Sequence, residues 1–217
     1  MQYLSLCAFL FLSAAMAFED VIKKYEQHYD IPANLLQAIA TVESGKADNG
    51  YVQPWPWTVQ ANGHGYYCAT KAQAIALVQH FQSQGLTNID VGFMQINLKS
   101  HPLAFQNLNA AFDQTANIAY AAKFLKGLYD QHKSWAKAVA YYHSTNPVFY
   151  KPYITKVYKT LQSLPPQTVS SQGFVRFAAY HQERGVFEPE DVSVSPKKKQ
   201  IHPSLKVHSY QIKLSPK

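Results

Sequence analysis

The sequence is poor in cysteine and in charge for its length. Only two of the 217 residues are cysteines, and 15% are Asp, Glu, Lys or Arg. Once an N-terminal stretch that contains Cys7 is removed, Cys68 is the one remaining thiol, which excludes an internal disulfide and leaves the core to hold the fold. No local motif around Cys68 indicates a catalytic thiol, so we expect a small, partly buried residue there.

The apolar N-terminal stretch is too short to span a membrane. Its uncharged core from Leu4 to Ala15 has the length of a signal-peptide core, and Ala15-Met16-Ala17 is a small-x-small cleavage site. A buried N-terminal helix is the alternative, because a basic start is missing. We expect residues 1–17 to be a signal peptide. The mature protein is then exported to the periplasm or cell envelope, with no stable membrane span.

Motifs for metals, cofactors and nucleic acids are also missing. The nine histidines include no H-E-x-x-H pair and the chain has no cysteine pair with zinc-binding spacing, so we predict no metal and no cofactor. The net charge of +7 suits an anionic envelope, but no nucleic-acid motif accompanies it, and we expect no nucleic-acid partner. The three lysines 197–199 form the only dense basic cluster.

The spacing of apolar residues predicts a mostly helical domain. Ile31, Leu35, Ile39 and Val42 recur at helical spacing, which predicts an amphipathic helix that Asp30 caps and that ends at Gly45. Further helices are predicted from a Thr70 cap to about residue 84, from Asp113 to about His132, after Ser134, and from Pro152 onwards with Tyr153, Val157 and Leu161 inward.

Two segments interrupt the helices. "WTVQ" and "YYCA" flank "ANGHG", which predicts a small β-hairpin, and "TNIDVGFMQINLKSHP" predicts an ordered, partly buried loop. After residue 164 the chain becomes rich in Pro, Ser and Lys. We therefore divide the chain into a signal peptide (1–17), a folded domain (18–164) and a linker with a poorly ordered basic tail (165–217).

Glu43 occupies an unusual position for a charge. At 100° per residue it shares a face with Leu36, Ile39 and Ala40, and this apolar face points inward. Desolvation and the negative end of the helix dipole both raise the pKa of such a carboxyl. A carboxyl protonated near neutral pH is what a general acid needs, although a surface or ion-paired glutamate is the commoner reading.

A second carboxylate is less evident. Glycosidases usually use two, and the candidates are Asp48, in a turn-like "KADNG" stretch, and Asp90, before "VGFMQ". Neither has a spacing that fixes it opposite Glu43, and each reads equally well as a residue that shapes its loop. Chemistry that needs only one carboxylate therefore fits better.

Four segments in order resemble the lytic transglycosylases of the SLT-domain family. "ES" at Glu43-Ser44 follows an apolar helix, "VGFMQIN" (91–97) resembles their G-L-M-Q-I segment, "NIAYAAKFL" (117–125) their N-x-x-x-G-x-x-Y-L helix, and "AVAYYHS" (138–144) their A-Y-N-A-G segment. The sequence departs from the family at Ala121, where Gly is common, and at 143–145, where Asn-Ala-Gly is common. The insertion "PWPWTVQANGHGYY" is similar to that of small transglycosylases that accompany conjugation, secretion and pilus machines.

The resemblance implies a mainly α (α+β), lysozyme-like fold with a small β-hairpin insertion, and a monomer. It implies cleavage of the MurNAc-β-1,4-GlcNAc bond of peptidoglycan glycan strands, with 1,6-anhydro-muramyl ends as products, for local wall remodelling. Glu43 matches the single catalytic glutamate. Two alternatives stay open: a lysozyme-type muramidase, which hydrolyses the bond, and a non-catalytic wall-binding assembly factor.

The resemblance also implies substrate-binding residues. Ser44 matches the serine that bonds substrate or holds the acid, or it is a plain helix-end hydroxyl. Gln95 matches the groove glutamine. Met94 and Phe93 flank the groove or pack in the core.

Roles are also expected for five more residues, which lie in the last two segments and in the insertion. Tyr142 matches the tyrosine near the acid, and its hydroxyl orients the carboxylate or the substrate, or packs in the core. Asn117 matches the helix asparagine, for which we expect structural hydrogen bonds more than sugar contact. His143 lies at the substrate edge or behind it. Trp55 and Trp57 stack on sugars or stiffen the insertion.

Overall fold

The computed structural model describes residues 18–48 and 50–165. The predicted signal peptide and the predicted tail from residue 166 onwards lie outside these residues. The helices are α1 (18–28), α2 (Leu35–Ser44), α3 (Lys71–Ser83), α4 (Leu108–Ala111), α5 (Gln114–His132), α6 (Trp135–His143) and α7 (Pro147–Ser163). The strands are β1 (Gly45–Asp48), β2 (Tyr51–Pro54), β3 (Thr58–Ala61), β4 (His64–Tyr67), β5 (Ile89–Val91) and β6 (Ile96–Asn97).

Two small antiparallel sheets accompany the helices. Strands β1 and β2 pair only with each other, whereas the second sheet has the order β4-β3-β5-β6. The mainly α, lysozyme-like fold with small sheets is as predicted. The predicted hairpin is β3–β4, and its turn is Asn62-Gly63 with both φ angles positive, the geometry that Asn-Gly favours.

Two predictions about strands need correction. The predicted loop around "VGFMQ" contains β5 and β6, and β5 extends the β3–β4 hairpin into a larger sheet. The "KADNG" stretch is not only a turn, because Gly45–Asp48 forms β1. These strands have two to four residues each, too few to show an alternating pattern in the sequence.

Local capping chemistry explains most helix starts. Thr70, Asp113 and Ser134 each accept a hydrogen bond from a backbone N–H of the first turn of α3, α5 and α6, as predicted. Helix α7 instead starts at Pro147 after the cap Asn146, so the prediction that Pro152 opens it is wrong. Pro147 occupies the first helical position, where a missing N–H has no intrahelical partner to lose.

Helix α2 is not capped by Asp30. Its N-terminal backbone N–H groups bond across to α1: Asn34 N donates to Glu26 Oε2 at 3.0 Å and Leu36 N to Glu26 Oε1 at 2.9 Å. Asn34 itself has φ 65° and makes no side-chain cap bond. The cap of α2 therefore comes from Glu26, a residue of the preceding helix, and not from a residue next to the helix start.

Two apolar cores place the candidate site between them. The larger core gathers residues from α1, α2, α5, α6 and α7, including the fully buried Leu36, Ile39 and Leu125. The smaller core lies between the four-stranded sheet and α3, around Val59 and Val78. Among the described residues, no helix has the length and apolar character needed to cross a membrane.

Candidate active site

Glu43 lies in the last turn of α2, where the chain changes from helix to strand. Gly45 follows at the first position of β1, and a Cβ there would meet the carbonyl oxygen of Thr41 and lie 2.6 Å from Cγ1 of Val52. Glycine is thus required by close approach of the β1–β2 hairpin to the helix. The prediction that α2 ends at Gly45 is confirmed, and Glu43 is left at the edge of a cleft.

The cleft has a volume of about 260 Å³ and lies between the four-stranded sheet and the helices. Its walls come from segments far apart in sequence, which is why no single motif describes it. Glu43, Gln60, Asp90, Gln95, Ile96, Asn97, Ser100, His101, Phe124, Tyr142 and His143 line it.

The environment of Glu43 favours its protonated form. Burial is the largest cause and raises its pKa to about 7; the hydrogen bond from Tyr153 acts in the opposite direction, and the negative charge of Asp90 adds to the increase. A carboxyl with this pKa holds a proton in part of the population at neutral pH and releases it readily. The carboxyl of Glu43 is therefore suited to both donate and accept a proton.

Tyr153, not Tyr142, bonds the carboxyl. The Tyr153 hydroxyl donates to Glu43 Oε1 at 2.7 Å from the buried face of α7. Tyr142 donates instead to the carbonyl oxygen of Met94 at 2.8 Å and lines the cleft. Burial, and next the charge of Glu43, raise the pKa of both hydroxyls well above the usual value, so both remain donors. Of the alternatives for Tyr142, the one in which its hydroxyl orients the carboxylate is thus corrected, and contact with the substrate stays a prediction.

The turn of residues 92–95 is fixed to α5 by Asn117. Asn117 Oδ1 accepts from Met94 N at 2.9 Å, and its Nδ2 donates to the carbonyl oxygens of Val91 and Ala111. Gly92 has φ 80°, and a Cβ on it would lie 2.5 Å from Asn117 Nδ2. Asn117 is buried and absent from the cleft lining, in line with the structural role we expected.

Gln95 enters the cleft with a strained backbone. Its φ is 46°, unusual for a residue other than glycine, and its Nε2 donates to the carbonyl oxygens of Thr58 and Gly92 at 3.1 and 2.7 Å. The side chain is buried, and Oε1 has no hydrogen-bond partner among the described residues. Such an acceptor costs about 1–3 kcal/mol. Strain and an unpaired acceptor at one residue are typical of functional sites.

Three predicted substrate contacts lie elsewhere. Ser44 is fully buried and its hydroxyl donates to the carbonyl oxygen of Ala40 at 3.0 Å, so it serves the helix end and does not reach the cleft. Met94 and Phe93 belong to the larger core, where Phe93 packs on Phe18 with ring centroids 4.7 Å apart. Their apolar side chains gain more from burial than the cleft offers, so core packing was the correct alternative.

His143 lies at the open edge of the cleft. It is exposed, and its ring stacks on Tyr153 with centroids 4.3 Å apart and planes at 7°. Desolvation of the ring, with a further effect from the charge of Lys156, lowers its pKa, which favours the neutral ring. His143 therefore covers the tyrosine that bonds Glu43 and faces the space where a substrate would lie.

The two insertion tryptophans pack against each other. Trp55 and Trp57 make an edge contact at 5.8 Å, Trp55 Nε1 donates to the carbonyl oxygen of Cys68, and Lys46 Nζ lies 3.9 Å from the Trp55 ring centroid. Neither lines the cleft. Their contacts agree with the alternative of a stiff, packed insertion.

Several lining residues were not predicted. No motif marks His101, while Gln60 and Asn97 lie in the hairpin and "VGFMQIN" segments without a predicted role, and Asp90 reads from the sequence equally well as a residue that shapes its loop. His101 Nδ1 lies 2.9 Å from the Tyr120 hydroxyl, and partial burial lowers its pKa. An alternation of polar and apolar residues at 59–61 and 89–91 was the one signal available, and it covers only three residues each. Within the described ranges, no group of three or more His, Cys, Asp or Glu side chains is placed to hold a metal.

Comparison with known families agrees with this geometry. The chain matches the family model for the transglycosylase SLT domain over residues 20–148, more than half of its length. No curated protein and no solved structure gives a match. The matched range includes Glu43, the 92–95 turn, α5 and α6. The chain therefore belongs to the transglycosylase SLT domain family, whose members are peptidoglycan lytic transglycosylases.

Proposed function

We propose that this protein cleaves the MurNAc-β-1,4-GlcNAc bond with Glu43 as the single acid and base, and leaves 1,6-anhydro-muramyl ends. The observation that carries the proposal is the state of Glu43: a carboxyl in a polar cleft, bonded by Tyr153, with its pKa raised to about 7. A lone exposed glutamate would be ionised at neutral pH and unable to protonate a leaving group.

In the first step Glu43 acts as an acid. Its proton goes to the glycosidic oxygen, the bond from that oxygen to the muramyl anomeric carbon breaks, and the GlcNAc hydroxyl leaves. The anomeric carbon acquires positive charge, as in other glycosidic cleavages. The acetamido group of the same sugar supports this charge. Tyr153 holds the carboxyl in place and stabilises the anion that forms.

In the second step the Glu43 anion acts as a base. It takes the proton of the muramyl sixth-carbon hydroxyl while that oxygen bonds to the anomeric carbon. The proton lost in the first step is thereby regained, and no water is consumed. One carboxyl with a pKa near neutrality can both donate the proton in the first step and accept it in the second, because neither protonation state is strongly disfavoured.

Three lining residues are proposed as substrate contacts. Gln95 Oε1 is a fixed acceptor because Nε2 is held by two carbonyls, and an N–H or O–H of the sugar would pair it after a small rearrangement. Tyr142 and His143 present a phenol and a neutral imidazole to the same space. These groups suit the hydroxyl and acetamido groups of a glycan strand.

Hydrolysis is the second candidate function, and Asp90 favours it. A lysozyme-type muramidase uses two carboxylates, and Asp90 lines the cleft with Glu43. The two reactions differ in their products: transglycosylation gives anhydro ends and hydrolysis gives reducing ends.

Product analysis tests both candidates. The purified protein is incubated with sacculi at pH 6, and released muropeptides are analysed by mass spectrometry. We expect anhydro-muramyl products, and a loss of at least about 10³-fold in release rate for Glu43→Gln, since a general acid is worth 10²–10⁴ and here also serves as the base. Glu19→Gln, an exposed glutamate of α1, is the matched control and should keep the wild-type rate.

The possible outcomes separate three functions. Reducing ends in place of anhydro ends would identify a muramidase. No release by any variant, with sacculi still bound, would identify a wall-binding factor. Equal release by wild type and Glu43→Gln would reject Glu43 as the acid under either reaction.

Export and local wall remodelling are part of the proposal. Peptidoglycan lies outside the cytoplasm, and the apolar residues 1–17 and the net charge of +7 support delivery to an anionic envelope. Association with a conjugation, secretion or pilus machine rests on the insertion alone. Sequencing the N-terminus of protein recovered from the envelope tests cleavage after Ala17.

A further inference from the structure

The open face of the four-stranded sheet continues past the cleft to its outer strand, β4. Gln60 of β3 lines the cleft and is opposite Gly65 of β4. A Cβ on Gly65 would meet no atom within 4 Å apart from its chain neighbours, so the space beside it is open. Tyr66 packs on Phe81 of α3 in the smaller core, with ring centroids 5.5 Å apart. Because side chains alternate along a strand, Tyr67 points to the same face as Gln60.

Tyr67 connects this face to the end of helix α2. Its hydroxyl donates to the carbonyl oxygen of Gly45 at 2.7 Å, two residues after Glu43 in the chain. Burial raises the pKa of the phenol, so the hydroxyl remains a donor. The side chain is still partly open to solvent, because Tyr67 is 37% exposed. The open face therefore extends from the cleft, across the ring of Tyr67, to the β1–β2 hairpin that follows Glu43.

The ammonium group of Lys46 is held in place on this hairpin by Trp55. Its Nζ lies 3.9 Å from the ring centroid of Trp55, which is a cation–π contact. The Trp55 ring is itself fixed, because its Nε1 donates at 2.7 Å to the carbonyl oxygen of Cys68, the residue after Tyr67. The residue before Lys46 accepts the hydrogen bond from Tyr67. Lys46, Trp55 and Tyr67 therefore form one cluster at the end of the open face.

Lys46 has no carboxylate partner in the part of the chain that the structure describes. The ion pairs found there join Lys126 and Lys133 to Asp130. The described residues that line the cleft include no lysine or arginine. Lys46 follows Glu43 by three residues, so the two Cα atoms are at most about 11 Å apart. A fixed ammonium without an anionic partner therefore lies at one end of the open face, close to the acid.

A glycan strand of peptidoglycan carries its negative charge on the muramyl residues. Each muramyl residue has a lactyl group, whose carboxylate is free where the strand bears no peptide. Where a stem peptide is attached, the lactyl carboxylate is converted to an amide, and the peptide supplies carboxylates of its own. GlcNAc has no charged group. A strand that lies in the cleft therefore presents carboxylates on alternate sugars.

We propose that Lys46 binds a carboxylate carried by a muramyl residue next to the bond that Glu43 cleaves, and that this contact selects muramyl strands over uncharged ones. The proposal rests on the proposed function and adds a binding contact, with no covalent step. A charge-assisted hydrogen bond from Lys46 is favourable because Trp55 already holds the ammonium, and less side-chain freedom is lost on binding. The exposed part of the Tyr67 ring offers a sugar an apolar surface beside this contact.

Lys46→Met tests the role of the charge. Methionine keeps an apolar side chain over Trp55, so we expect KM to rise about 3- to 10-fold with little change in kcat, as for the loss of uniform binding. Lys24→Met is the matched control, because Lys24 is exposed on α1 and also lies over an aromatic ring, that of Tyr25, at 5.4 Å. Lys46→Arg keeps the charge and should keep most of the affinity. Equal KM values for wild type and Lys46→Met would overturn the proposal.

Three forms of the strand identify the carboxylate. Soluble strands are prepared with stem peptides, without peptides after amidase treatment, and with all carboxylates chemically converted to amides. A higher KM of Lys46→Met on peptide-bearing strands assigns the contact to the peptide, and a higher KM on stripped strands assigns it to the lactyl group. The difference from wild type should vanish on amidated strands. A difference of the same size on amidated strands would contradict the proposal, because the charge of the substrate would then play no part.

Binding without cleavage separates this proposal from the proposed function. In the Glu43→Gln variant, the dissociation constant for each strand is measured by calorimetry with and without Lys46→Met. We expect about 3- to 10-fold weaker binding of charged strands to the double variant, and equal dissociation constants would overturn the role of Lys46. An inactive wild type, or a fully active Glu43→Gln, would instead contradict the proposed function, and the dissociation constants would still decide the role of Lys46. Thermal unfolding of each variant checks that the fold is intact.

Discussion

The two ends of helix α2 each meet a glutamate, and the two glutamates have opposite environments. At the N-terminus, Glu26 of α1 is 2% exposed and accepts hydrogen bonds from two backbone N–H groups. At the C-terminus, Glu43 is partly buried, meets one phenol and the charge of Asp90, and has its pKa raised to about 7. The carboxyl group of Glu26 therefore stabilises the fold at one end of the helix, whereas that of Glu43 is available for chemistry at the other end.

The helix itself contributes to this difference. Its N-terminus presents unpaired N–H groups and partial positive charge, which stabilise an anion, while its C-terminus carries partial negative charge, which disfavours one. A carboxylate with two N–H partners gains stability from ionisation, and a desolvated carboxyl loses it. Burial alone therefore does not decide whether an acidic residue is structural or functional.

The largest effect on stability should come from removing the carboxylate that caps the N-terminus of α2. Glu26→Gln leaves one acceptor for two N–H groups and places an amide N–H₂ near one of them. We expect the free energy of unfolding to fall by about 3 kcal/mol, since a buried group loses its partner. Urea unfolding at pH 7 measures it, with the exposed Glu19→Gln as control. A loss no larger than that of the control would mean that the cap is not structural.

At the C-terminal end of α2, removing the charge of Glu43 should have a smaller effect of opposite sign on the free energy of unfolding. The folded-state pKa of Glu43, about 7, lies above the ordinary value of 4.5 for a glutamate, so the folded protein binds the proton more tightly than the unfolded chain. Below pH 4.5 both states are protonated and stability is unaffected. As pH rises to about 7 the unfolded state ionises first, and stability falls. Above the folded pKa, the loss stays constant.

Glu43→Gln removes this titration. From pH 4.5 to pH 8, wild type should lose about 2 kcal/mol of unfolding free energy relative to the variant, after allowance for the partial exposure of Glu43. Urea unfolding at both pH values measures the difference, and Glu19→Gln should follow wild type. Parallel pH curves for wild type and Glu43→Gln would mean that the carboxyl is not desolvated.

Tyr153→Phe should have the smallest effect of the three changes, and it tests how the environment of Glu43 sets its pKa. It removes the hydrogen bond that lowers the pKa of Glu43, so the basic limb of the rate profile should move to higher pH. We also expect about tenfold slower release, because the carboxyl is less well oriented. Tyr150→Phe, whose ring packs on Tyr141 of α6, is the control on the same helix. A basic limb at the wild-type position would contradict the assignment.

The predictable parts of the fold are those set by neighbouring residues. Thr70, Asp113 and Ser134 cap helices through bonds within three residues, and Asn62-Gly63 forms its turn alone, so a short sequence window contains the cause. The cap of α2 failed as a prediction because its acceptor comes from α1. Pro152 misled because it lies inside α7, after a better start at Asn146-Pro147, where proline removes a backbone hydrogen bond without ending this helix.

The candidate site divides in the same way. The apolar face of α2 identified Glu43 and the reason for its raised pKa, because both depend on helical geometry and position. Tyr153 bonds it from 110 residues away, and Asp90 reaches the cleft only through the pairing of β5 with β3 and β6. Ser44 matches a family motif, but its side chain points towards its own helix, where the hydroxyl donates to the carbonyl oxygen of Ala40.

The sequence by itself determined most of the helices, the hairpin turn and the one acid on an apolar face, because periodicity and capping act over a few residues. Tertiary structure decided which tyrosine bonds that acid, which aspartate shares its cleft and which glutamate caps its helix. These contacts join residues that are distant in the chain, and desolvation exists only after the core has closed around them. The sequence therefore determines the position of Glu43 on its helix, and the tertiary structure determines the pKa of its carboxyl group.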